Sequence, residues 1–82
     1  MKKVAIFGST GSIGQSTLEV INRNQDIFQA NTLVAGKNIE RLKEQIAKFH
    51  PEHVYIIEKE HAKEIKERYP KLDVQWRKRR YG

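Results

Sequence analysis

Val4-Ala5-Ile6-Phe7-Gly8-Ser9-Thr10-Gly11-Ser12-Ile13-Gly14 carries a short apolar run straight into a glycine-punctuated turn. The apolar run reads as a buried strand, and the residues after the turn read as the start of an amphipathic helix. Gly8 permits the tight turn, Gly11 leaves the main chain bare, and Gly14 lets the helix pack close to the strand. Strand, glycine loop and helix N-terminus in that order present backbone N–H groups to a phosphate. The spacing is G-x-x-G-x-x-G rather than the more familiar G-x-G-x-x-G. The competing reading is an ordinary β–α turn that needs glycine for positive φ. The place of the loop, between the first strand and the first helix, weighs against it.

A second apolar run, Thr32-Leu33-Val34-Ala35, ends in Gly36-Lys37-Asn38. In a dinucleotide fold the tip of the second strand meets the adenosine ribose, and an acid there would bind the 2′-hydroxyl of NAD. This tip has a cation and an amide instead. Lys37 and Asn38 would attract a 2′-phosphate, with no carboxylate to repel it. The preference expected is NADP(H) over NAD(H). Asn38 is also placed to cap the helix that begins at Ile39, and the two roles are compatible.

The rest of the chain alternates regularly. Strands are expected at Lys3 to Phe7, Asn31 to Ala35, His53 to Ile57 and Leu72 to Gln75. A helix from Ser12 to about Asn22 has Ile13, Leu18 and Ile21 as inward candidates. Ile39, Leu42, Ile46 and Phe49 share one helical face, closed by Pro51. Ala62, Ile65 and Tyr69 follow the same spacing before Pro70. Alternating strands and helices predict right-handed β–α–β units, hence an α/β chain with a partial, Rossmann-like parallel sheet of order βαβαβαβ. His50 and His53 read as loop and strand-start residues rather than metal ligands. The charged run from Glu58 to Arg68 is a solvated face, with Lys63–Glu67 and Glu64–Arg68 as its opposite-sign pairs.

Eighty-two residues make one small domain at most. There is no cysteine, so neither a disulfide framework nor thiolate chemistry is available. The four apolar residues between Lys3 and Gly8 are too few for a signal-peptide core, and no stretch has the length of a membrane span. The net charge of +6 is concentrated in Arg77, Lys78, Arg79 and Arg80; without them 12 cations face 10 acids.

Taken together, Gly8 to Gly14, Ser16-Thr17-Leu18 and Leu33-Val34-Ala35-Gly36-Lys37-Asn38 resemble the start of the 1-deoxy-D-xylulose 5-phosphate reductoisomerase family over about residues 2–75. Aspartate-semialdehyde dehydrogenases and extended short-chain reductases share a similar first loop, but do not usually follow it with Ala-Gly-Lys-Asn. The resemblance implies an NADPH-dependent enzyme that makes 2-C-methyl-D-erythritol 4-phosphate in non-mevalonate isoprenoid biosynthesis. It implies a phosphorylated sugar substrate and a divalent metal, Mg or Mn, in the full-length enzyme. It also implies a cytoplasmic location away from membranes. The cofactor contacts it carries over are Thr10, Gly11, Ser12 and Ile13 at the pyrophosphate and Gly36, Lys37 and Asn38 at the ribose end. No catalytic or metal-binding residue carries over: the only aspartates are Asp26 and Asp73, and neither has a glutamate two positions on.

Residues 1–75 are therefore expected to form a partial NADPH-binding domain, followed by a basic tail, 76–82, foreign to the family pattern. Where the family continues with a glycine-rich acidic segment, this chain reads Trp76-Arg77-Lys78-Arg79-Arg80-Tyr81-Gly82. Read one base out of frame, a purine-rich coding of that stretch gives Gly-Glu-Lys-Glu-Gly-Met. A frameshifted, prematurely ended product is the expectation, with a deliberate truncation as its competitor. Such a chain would be inactive alone and would form a homo-oligomer through its exposed sheet edge. The alternative function is a small basic module that binds nucleic acid or an acidic partner through residues 76–82.

Overall fold

Residues 1–76 are described by the computed structural model. They form β1 (Lys2–Phe7), α1 (Ser12–Arg23), β2 (Phe28–Ala35), α2 (Ile39–Phe49), β3 (His53–Ile56), α3 (Lys59–Arg68) and β4 (Asp73–Trp76). The strands make one parallel sheet in the order β1-β2-β3-β4. The alternating, Rossmann-like arrangement expected from the sequence is the one the chain adopts.

Cross-strand register sorts the side chains into two faces. Ile6, Leu33, Val54 and Val74 lie in one row across all four strands. Ile6, Leu33 and Val54 are buried, and they join Leu18, Ile21, Leu42, Ile46, Ala62 and Ile65 from the helices in one core cluster. All three helices therefore cover the same face. Three crossovers of one hand that step the same way across a sheet leave no other result. The next row, Phe7, Val34, Tyr55 and Gln75, looks the other way. There Phe7 is 78% exposed.

Strand β2 begins at Phe28, earlier than the expected Asn31. The cause is a β-bulge. Val4 pairs with Ala30, but Ala5 pairs with Thr32, so Asn31 is an extra residue. The bulge lets Ala30 and Leu33, an odd number of positions apart, both face the helices. It also breaks the simple alternation by which a strand is recognised.

In α1 the expected inward position of Ile13 is wrong: it is 84% exposed. The buried stripe is Gly14, Leu18 and Ile21. These are spaced by four and three residues, and Ile13 lies about 100° off that line. Glu64 does not pair with Arg68 along α3; its carboxylate meets Lys43 of α2. That contact draws the Glu64 carboxyl below its ordinary value and holds the Lys43 ammonium above its own.

Candidate functional site

Two loops leave the C-terminal ends of neighbouring parallel strands, where ligands of open α/β sheets bind. The loop after β1 carries Gly8 to Gly11, and the loop after β2 carries Gly36 to Asn38. Phe7 and Val34 are register partners, so both loops start at the same level of the sheet. The structure therefore brings the two predicted groups, Thr10 to Ile13 and Gly36 to Asn38, to one end of one strand pair.

The first loop is built by backbone constraints. Gly8 has φ +67°, the left-handed region that favours glycine. Its N–H and that of Ser9 both donate to Val34 O, at 2.8 and 3.1 Å, which fixes the loop to the end of β2. Gly11 N–H returns to Gly8 O at 2.9 Å and closes the turn. A Cβ at Gly14 would stand 2.2 Å from Gly8 O and 2.7 Å from Ser9 Cα, so only glycine lets α1 approach this closely. The glycine roles read from the sequence for positions 8 and 14 are the ones the chain uses.

The start of α1 is electrostatically open. Its N-cap is Gly11, which offers no side chain, and its first turn holds no acid. Gln15 N–H is the first to bond back, to Gly11 O at 2.9 Å. The N–H groups of Ser12, Ile13 and Gly14 are thus not used by the helix ladder, and the positive end of the helix dipole accompanies them. Gly11, Ser12 and Ile13 are exposed, and Thr10 is half-buried. This surface matches a phosphate group in charge and in donor geometry.

At the second loop, Asn38 caps α2 as expected: its Oδ1 accepts from Arg41 N–H at 3.0 Å. The amide nitrogen of Asn38 remains a donor at the rim, beside exposed Lys37. Gly36 is half-buried, and a Cβ there would meet nothing within 4 Å.

Sequence reasoning missed the residues beneath the loops. Gln45 of α2 is buried and donates through Nε2 to Ser9 O at 2.7 Å. Gln15 donates through Nε2 to Thr10 O at 3.1 Å, and its Oε1 accepts from Arg41 Nη1. Glutamines on helices carry no motif, and only the packing of α2 against the loop reveals them.

Elsewhere, His50 caps α2 in a left-handed conformation with φ 49°. His53 Nδ1 lies 2.7 Å from Asp73 Oδ2. Among the described residues, no group of three or more His, Cys, Asp or Glu could hold a metal ion. Nor, among them, is any helix long and apolar enough to cross a membrane. The basic-module reading falls mainly on residues 77–82, which lie outside the described residues. Trp76, its one described member, is already engaged. It ends β4, its Nε1–H donates to Ile57 O at 2.9 Å, and Lys59 stands 5.4 Å from its ring centre.

The model of the family described as 1-deoxy-D-xylulose 5-phosphate reductoisomerase matches residues 4–79. A reductoisomerase of that name from Lachnoclostridium phytofermentans is 46% identical over 74 residues, covering 90% of this chain and 19% of its own length. One from Photorhabdus laumondii is 43% identical over 67 residues, covering 82% of this chain and 17% of its own. The chain thus spans about a fifth of the length of the curated relatives it matches. The solved reductoisomerase of Zymomonas mobilis in complex with NADPH superposes with a TM-score of 0.81 at 28% identity, over 92% of this chain and 20% of that one. A further reductoisomerase structure, with magnesium, gives a TM-score of 0.83 at 21% identity and so bears on the fold alone. These matches support the reductoisomerase reading and give none to the basic module.

Proposed function

The chain belongs to the 1-deoxy-D-xylulose 5-phosphate reductoisomerase family, and from that premise we propose that it forms the NADPH-binding part of such an enzyme. One observation carries the reading most. An uncapped, acid-free helix start and a Lys–Asn rim stand at the ends of the same strand pair. The N–H groups of Ser12 and Ile13, with the bare backbone of Thr10 and Gly11, receive the pyrophosphate. Lys37 and the Asn38 amide receive the 2′-phosphate, and Gly36 lets the ribose lie against the backbone. NADPH, when bound, supplies the hydride for reduction of a phosphorylated sugar. This chain's residues bind and orient its adenosine half. The divalent metal of the reaction finds no ligand set among the described residues.

The division at residue 75, with 1–75 as the cofactor domain, belongs to the same reading. So does a homo-oligomer that covers the sheet surface left bare by the helices. We place the chain in the cytoplasm, which suits a cysteine-free domain serving NADPH-dependent biosynthesis.

The test is a fluorescence titration of the purified chain with NADPH and NADH. Binding is expected to be weaker than micromolar, because only the adenosine side of the cofactor is held. NADPH is expected to bind more tightly than NADH, and Lys37→Glu is expected to abolish that difference. A preference that survives Lys37→Glu would show that the 2′-phosphate is read elsewhere.

A further inference from the structure

We propose that Gln45 and Arg41, one turn apart on α2, are positioning residues that lock the phosphate loop to the helix bearing the 2′-phosphate contacts. The two ends of the cofactor cradle then act as one rigid surface. This rests on the NADPH reading above.

Gln45 is only 7% exposed, yet its amide serves a residue 36 positions earlier in the chain, the Ser9 carbonyl. Ser9 is fully buried, and its N–H is held from the other side by Val34 O. A trans peptide points its N–H opposite its C=O. A Ser9 carbonyl tied to α2 therefore aims the Thr10 N–H away from α2. Arg41 works one carbonyl further on. Its guanidinium donates to Gln15, and Gln15 donates to Thr10 O. Helix α2 thus controls two consecutive carbonyls of the phosphate loop. The same Arg41 supplies the backbone N–H that fixes Asn38 in its capping rotamer. Neither Gln45 nor Arg41 needs to touch the cofactor for this role.

Preorganisation of this kind raises affinity for a ligand that spans both loops, because the loop is not ordered at the ligand's expense. A ligand that reaches only the α2 end gains nothing from it. The chain is titrated, with backbone amide NMR as the readout, against 2′-phospho-ADP-ribose, ADP-ribose and 2′-AMP. The wild-type chain is expected to favour 2′-phospho-ADP-ribose over ADP-ribose; equal affinity would overturn the NADPH reading itself. Gln45→Met, of similar volume but without the donor, is expected to weaken both diphosphate ligands by about tenfold. It should change 2′-AMP by less than about twofold, and should shift the Thr10 amide signal in the free chain. Equal losses on all three ligands, or none, would overturn the proposal while leaving the wild-type preference and the NADPH reading intact. Gln15→Met breaks only the half-exposed Arg41 arm and carries the test if Gln45→Met does not fold. It should show the same ligand pattern at about threefold, and a uniform change or no change would count against the proposal.

Discussion

A methyl group at position 14 would have nowhere to go. It would meet the Gly8 carbonyl oxygen and the Ser9 Cα, both backbone atoms that no rotamer change can clear. Gly14→Ala is expected to cost about 3 kcal/mol and to displace the phosphate loop. Gly36→Ala, with open space around its Cβ and no positive φ, is expected to be neutral or to stabilise by about 0.5 kcal/mol. Urea midpoints at constant m compare the two, and equal midpoints would refute the packing argument. At this scale the glycines were legible because their constraint is local. Ile13 was misread because apolarity alone suggested burial, whereas the loop leaves it on the outer side of the first turn. Gln45 was illegible because its partner, Ser9, is distant in sequence.

Between elements, a few polar contacts decide how the outer pieces dock. Asp73 of β4 is bonded by Gln75 and by His53 of β3, and these hold its carboxyl below its ordinary value. A depressed carboxylate stabilises the fold above its unfolded pKa, and that stabilisation is lost as pH falls through the folded value. Acidification below the ordinary aspartate range should therefore loosen β4 first. Protection factors of the β4 amides, taken relative to the intrinsic exchange rate at each pH, are expected to fall there in the wild type, with a flatter response in Asp73→Asn; parallel profiles would refute the assignment. The Lys43–Glu64 contact between α2 and α3 has a wider window. The lowered Glu64 contributes above its ordinary 4.5, and the raised Lys43 contributes below its ordinary 10.5. Its contribution fades outside those limits, on the acid side through the lowered Glu64 value and on the alkaline side through the raised Lys43 value. All seven elements could be read from periodicity and turn residues. Their partners could not: Glu64 chose a cross-helix lysine over its i+4 arginine, and the Asn31 bulge hid the first half of β2.

Across the whole molecule, the one-sided placement of α1, α2 and α3 leaves the row that includes Phe7 and Val34 uncovered by any described element. The chain is expected to associate at high concentration, and Phe7→Lys is expected to shift it toward monomer without loss of thermal stability. Light scattering after size exclusion checks this, and a wild-type monomer throughout would refute it. The purified chain is also expected to show no NADPH oxidation with 1-deoxy-D-xylulose 5-phosphate and magnesium, since no described cluster can hold the ion that would stabilise developing charge. Absorbance at the NADPH band reads this directly, and measurable turnover would refute it. Strand alternation made the parallel sheet legible. Which way each crossover steps was not, because that depends on how whole units pack. The strand order β1-β2-β3-β4 has a kinetic consequence. Each strand docks on the one made just before it, so every pairing spans a single β–α unit and none reaches across the whole chain. On the ribosome the sheet can grow by accretion, one β–α unit at a time. Val34, Arg41 and Gln45, which secure the phosphate loop, are all synthesised before β3. The nucleotide cradle can therefore be assembled while the later strands are still being made.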